Sequence, residues 1–125
     1  MPLILDAGAL IAVDRRDRSV GAILRLAHQE QLPVRTSAAV VAQVWRGGGR
    51  QANLARVLAG IDAVGLDDSA GRSVGALLRQ SRTDDVVDGH LAWVVQPGDI
   101  VLTSDPGDIT TILDARAVVA TVRSI

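Results

Sequence analysis

The sequence contains no cysteine, lysine, phenylalanine or tyrosine, and its only indole rings are Trp45 and Trp93. Without cysteine there are no disulfides, thiolate zinc sites or cysteine nucleophiles. Without lysine no side chain can form a Schiff base or act as the cation of a phosphate loop. Two tryptophans are too few for a stacking platform that grips single-stranded nucleic acid. No apolar run approaches the roughly 20 residues needed to span a bilayer. The chain opens on a strand-like segment from Pro2 rather than on a signal peptide. The expectation is a soluble, cytoplasmic protein with no membrane partner.

A chain of 125 residues, 48% hydrophobic and 22% charged, suits one α/β domain over residues 1–125 with a single core. All 13 basic residues are arginine, and among 14 acids only Glu30 is a glutamate. The net charge of −1 gives no global attraction to a polyanion. Any contact with nucleic acid must therefore come from a local patch, such as Arg46 with Arg50 or Arg79 with Arg82.

Strand-like and helix-like segments alternate along the chain. Residues 2–6 (PLILD) read as a buried strand ending on an acid, and 7–13 as a short helix. Val20, Ile23, Leu24 and Ala27 recur three and four apart, which predicts a helix over 19–31. An extended stretch at 32–35 precedes a helix over 38–46, capped by Thr36 or Ser37. The run Gly47-Gly48-Gly49 lacks the lysine and the strand-to-helix setting of a phosphate loop, so it reads as a hinge or loop. Further helices are predicted over 50–59, 69–81, 85–95 and 106–114, with strands at 61–66, 100–103 and 117–122. Asp67 or Asp68 is expected to cap the helix over 69–81, and Thr83 or Asp84 to start the one over 85–95. This rhythm implies a parallel sheet covered on both faces, a three-layer α/β/α sandwich. Such sheets bind ligands beyond the carboxyl ends of their strands.

Acids stand where such a ligand would bind. Asp6 ends the first strand and Asp105 follows the strand over 100–103. Asp85 and Asp88 are three apart and share a helical face, as do Asp105 and Asp108, whereas Asp84 points elsewhere. Each acid has an ordinary role open to it. Asp6 and Asp105 can cap helices, and Asp85 and Asp108 can sit in first turns. Asp88 is harder to explain that way, because it interrupts the apolar stripe of Val87, Leu91 and Val94. Carboxylates gathered in one cleft repel unless a cation holds them, and hard oxygen donors suit Mg²⁺ or Mn²⁺. Of the histidines, His28 reads as surface, and His90 lies on a different helical face from Asp85.

In this order, the segments LDAGALIA (5–12), SAAVVAQVWR (37–46), DDVVDGHLA (84–92) and LTSDPGDI (102–109) resemble the PIN-domain ribonucleases, especially the VapC-type toxins of toxin–antitoxin pairs. The resemblance spans nearly the whole chain. It implies metal-dependent endonucleolytic cleavage of RNA, a homodimer, and inhibition by a small cognate antitoxin. By position it implies Asp6, Asp85 and Asp105 as metal-site acids, with Asp88 and Asp108 in support and Thr103 and Ser104 as neighbouring hydroxyls. One position departs from the family: a glutamate is usual where this chain has Gln43. An amide brings no charge and cannot act as a base. The other reading is therefore a PIN-like domain with weakened catalysis that binds RNA or an antitoxin. A receiver domain would need a lysine, a haloacid-dehalogenase-type phosphatase a second aspartate two residues after Asp6, and a von Willebrand-type site hydroxyls after it. None of these residues is present.

Overall fold

A computed structural model describes all 125 residues. Five short strands, β1 (Leu3–Leu5), β2 (Val34–Ser37), β3 (Asp62–Val64), β4 (Ile100–Thr103) and β5 (Thr121–Ser124), form one sheet in the order β3-β2-β1-β4-β5. Every pairing is parallel. The helices are α1 (Ala7–Asp14), α2 (Arg18–Gln29), α3 (Ala38–Val44), α4 (Ala52–Leu58), α5 (Asp68–Ser81), α6 (Val86–Val94) and α7 (Pro106–Ala115), and a 3-10 turn at Gly49–Gln51 precedes α4.

The order of the strands explains the layers. From β1 the chain winds outward through β2 to β3, then crosses back over β1 to β4 and on to β5. Parallel crossovers are right-handed, so reversing the winding direction transfers the helices to the opposite face. In agreement, α1 packs with α2 and α4, while α5, α6 and α7 pack with one another. α3 touches both α1 and α6. Leu3, Ile4 and Leu5 are all buried, as a central strand covered on both faces requires. Together with Leu10, Leu54, Leu91, Leu102 and Ile112 they belong to one cluster of 22 buried apolar residues.

Caps set several helix starts. Ser37 Oγ accepts from the Val40 N–H at 3.1 Å, and Asp67 Oδ1 accepts from Ala70 at 2.8 Å. Thr36 does not cap; its hydroxyl donates to the Leu5 carbonyl at 2.7 Å and ties β2 to the end of β1. The cap of α6 is Asp85 itself, one residue beyond the expected Thr83 or Asp84. The last strand also starts later than expected. Ala117 has φ 56 and reverses the chain, so Val118 to Ala120 form a connection and pairing begins at Thr121. β-branched residues fit strands well, but the turn at Ala117 decided which of them pair.

Between the end of α3 and the start of α4, Gln51 organises the glycine run. Its side-chain oxygen accepts from Arg46 N–H at 2.7 Å and Gly47 N–H at 3.0 Å, and its amide donates to the Val44 carbonyl at 3.0 Å. Gly47 and Gly48 take φ of 84 and 87, a region glycine adopts without strain. Of the expected hinge or loop, the run is a loop clasped by one buried amide.

Candidate metal centre

β1 and β4 are neighbours whose connections leave in opposite directions, and this is where an open α/β sheet forms a crevice at its carboxyl edge. Asp6 follows β1 and Asp105 follows β4, so the sheet alone brings together two acids 99 positions apart in the chain.

Asp6 is held on both oxygens. Its Oδ1 accepts from the Ala9 N–H at 2.8 Å and so caps α1, while Oδ2 accepts from the Ser104 N–H at 3.2 Å. Its backbone N–H continues the β1–β4 ladder to the Leu102 carbonyl at 3.1 Å. The contact with Ser104 depends on Gly8. A methyl group there would lie 2.0 Å from Ser104 Oγ, so only glycine lets the two loops close on Asp6.

Asp105 precedes Pro106, the first residue of α7, yet its side chain makes no capping bond. Thr103 Oγ1 instead accepts the Asp105 N–H at 2.9 Å, and the Asp105 side chain is exposed. Asp108 lies beside it in the first turn. Its pKa is raised, chiefly by the charge of Asp105 and by a hydrogen bond to that side chain.

α6 supplies the other two acids. Asp85 Oδ1 accepts from the Asp88 N–H at 3.0 Å and caps the helix, while Asp88 is half-buried in its first turn. Burial pushes the Asp88 carboxyl up from 3.8 to about 6, with further contributions from Asp85, Asp108, Asp105 and Asp6. The other four expected acids therefore all act on Asp88, which is the focus of their charge. Thr103 is buried and Ser104 exposed beside them. Gln43 lies exposed on α3, and no hydrogen bond joins it to the carboxylates.

The donor chemistry fits a hard divalent cation. The donors are all oxygens, they crowd negative charge around a partly buried carboxylate, and a cation would relieve that charge. No three acidic or histidine side chains stand close enough to form a ready ligand set.

His90, expected on a different helical face from Asp85, lies in the interior. It is completely buried, faces backbone groups on both sides, and burial lowers its pKa. Pairwise spacing within α6 could separate His90 from Asp85 but could not show that α3 and the loop after β3 close over it.

A second region was not foreseen. A groove of about 910 Å³ runs between α2 and α4 at the amino ends of β2 and β3, rimmed by Arg16, Arg18, Arg25, Arg56 and His28. Its one carboxylate, Asp17, caps α2 through the Val20 N–H at 2.9 Å. The two ion pairs of the molecule, Arg35–Asp62 and Arg72–Asp68, lie elsewhere, so these guanidiniums make no ion pair, and that of Arg56 donates to Asn53 Oδ1 at 2.6 Å. Arg46, one of the arginines expected to form a patch, turns back to the carbonyls of Ala42 and Trp45 at the end of α3.

The architecture is the PIN-like fold of VapC-type toxins. A chain of VapBC2 from Rickettsia felis, solved bound to a DNA fragment from its promoter, matches with a TM-score of 0.68 at 13% identity over 98% of this chain and 99% of that one. A chain of FitAB bound to the IR36 DNA fragment matches with a TM-score of 0.63 at 18% identity, covering 96% and 94% respectively. FitAcB from Neisseria gonorrhoeae matches with a TM-score of 0.52 at 20% identity, covering 95% and 96%. At these identities the likeness is one of fold. No family sequence profile and no curated protein matches the chain. No helix is long and apolar enough to cross a membrane.

Proposed function

We propose that this chain is a metal-dependent endoribonuclease, the toxin of a type II toxin–antitoxin pair. The observation that carries the reading is the charge focus at the β1/β4 crevice, where four aspartates act on Asp88. Asp6, Asp88 and Asp105 would hold Mg²⁺ or Mn²⁺, with Asp85 and Asp108 adding charge around it. When bound, the ion supplies a Lewis acid that neutralises the scissile phosphate and makes a water nucleophilic at neutral pH.

The chain's own groups do the positioning. The Ala9 and Ser104 N–H groups orient Asp6, and the Thr103 hydroxyl fixes the turn that presents Asp105. The Asp85 cap anchors the first turn of α6 and so locates Asp88. With Gln43 in place of the usual acid, Asp88 and Asp108 carry the charge that position lacks. The groove between α2 and α4 suits the partner: unpaired arginines around an aliphatic floor of Leu24, Leu32 and Val57 complement an acidic, amphipathic antitoxin segment. The active unit is a homodimer, which light scattering of the purified protein would check.

The rival reading, a binding module with no cleavage, is favoured by Gln43. Incubating the protein with structured RNA in Mg²⁺, Mn²⁺ or EDTA separates the two. Cleavage abolished by EDTA supports the nuclease, and binding of RNA without cleavage in either metal overturns it.

A further inference from the structure

Asp88 holds the focus of charge, yet nothing but its helix locates it, because its carboxylate accepts no hydrogen bond from the protein. What fixes α6 therefore fixes the metal centre. On one side Gly89 presses α6 against α5: a methyl group at that glycine would lie 2.7 Å from Leu78 Cδ2. On the other side stands His90, fully buried and two residues beyond Asp88. Its Nε2 lies 3.1 Å from the Gly65 carbonyl, just after β3. Its Nδ1 faces the Ala39 N–H at 3.4 Å, in the first turn of α3.

Those two neighbours leave the ring no choice of proton. A carbonyl only accepts, so Nε2 must carry the hydrogen; an amide N–H only donates, so Nδ1 must be bare. The contact also gives a helix start a second cap. Ser37 satisfies the Val40 N–H, and the imidazole meets the Ala39 N–H that would otherwise be an orphan of the first turn. Trp93 stacks on the ring at 6.0 Å between centroids and 27° between planes, so the imidazole is also held against sideways rotation.

We propose that His90 is a positioning residue for the metal centre: as the neutral Nε2–H tautomer it links α6 to α3 and to the loop after β3, and so sets where Asp85 and Asp88 stand relative to Asp6 and Asp105. The role rests on the metal-dependent reading above. It acts through backbone groups of two other segments, at Ala39 and Gly65, and His90 itself touches neither metal nor substrate.

The test uses the full chain with Mn²⁺ as the probe, titrated by calorimetry or electron paramagnetic resonance, with thermal melting as the check of folding. Nitrogen NMR of the wild-type imidazole is expected to show the Nε2–H tautomer. His90→Leu keeps the bulk but neither hydrogen bond, and Mn²⁺ affinity is expected to fall about 10- to 100-fold in folded protein, as for other outer residues that orient ligands. His90→Gln offers one acceptor and one donor and is expected to recover most of that affinity. If the leucine variant does not fold, His90→Asn, too short to span both groups, takes its place with the same expected loss. Unchanged Mn²⁺ affinity in the folded variant, or an Nδ1–H tautomer in the wild type, overturns the positioning role alone. Wild-type protein that takes up no Mn²⁺ overturns the metal-dependent reading and the positioning role with it.

Discussion

The two charged regions of this protein differ in how they were assembled. At the carboxyl edge of the sheet, burial and then four aspartates from three separate segments raise the pKa of Asp88. At the amino ends of β2 and β3, unpaired arginines from α2, α4 and the turn between α1 and α2 rim an open groove with an aliphatic floor. The near-zero net charge conceals this separation, since 13 arginines and 14 acids almost cancel in the sum. Like charges brought together store electrostatic work that a ligand of opposite sign releases. Under the proposed function, each end would take a different partner: a hard cation at one and an acidic segment at the other.

The sharpest way to break that division is to neutralise one end and measure at the other. Asp6→Asn keeps the cap on α1 through its side-chain oxygen and loses the charge. RNA cleavage in Mg²⁺ is expected to fall at least about 100-fold, with antitoxin affinity nearly unaltered. Unchanged cleavage in a gel assay would remove Asp6 from the centre. Next in size is Gly8→Ala, which forces a methyl group against Ser104 and thus against the loop that orients Asp6. Overpacking of this kind costs about 1–3 kcal/mol and should lower both the melting temperature and the cleavage rate. A variant as stable as the wild type would show that Ser104 moves away freely.

At the groove, reversing Arg25 and Arg56 together to glutamate should weaken antitoxin binding about tenfold while cleavage of RNA stays within twofold. Isothermal titration against the proposed cognate antitoxin measures the first quantity, and loss of cleavage in this variant would merge the two regions into one. The smallest effect concerns pH. Asp88 titrates at about 6 in the native protein against an ordinary 3.8. Its raised pKa means that the native state binds the proton more tightly than the unfolded chain does. That contribution is present below about pH 4, is lost as pH rises through 6, and is absent above. Asp88→Asn should therefore stabilise the protein in EDTA above pH 6, by ~1 kcal/mol once the solvent screening of a half-exposed group is counted. The gain should vanish near pH 4. A variant equally or less stable at pH 7.5 in EDTA would contradict the strain assigned to Asp88, and added Mn²⁺ should favour the wild type.

Local signals fared well where one residue type has one conformational use. Pro106 marked the start of α7, Ser37 and Asp67 capped where expected, and the apolar triplet Leu3-Ile4-Leu5 read as a buried strand because a central parallel strand is covered on both faces. Signals failed where a neighbour distant in sequence decided the outcome. Val118 to Ala120 have strand-like composition, yet Ala117 turns the chain before they can pair. Spacing within α6 set His90 on a different face from Asp85, but only two other connections, distant in sequence, show that it is buried.

What the amino-acid order determined by itself was the alternation of strand and helix, and the placing of acids just after strands. Both follow from periodicity and from short-range capping, which act over a few residues. Only the tertiary structure decided which acids share a crevice, that Asp88 rather than its more exposed companion Asp85 bears the charge focus, and that scattered arginines rim one groove. Those outcomes depend on strand order and on burial. Coulomb energy and desolvation are set by distances through space, which a parallel sheet with reversed winding makes independent of separation along the chain.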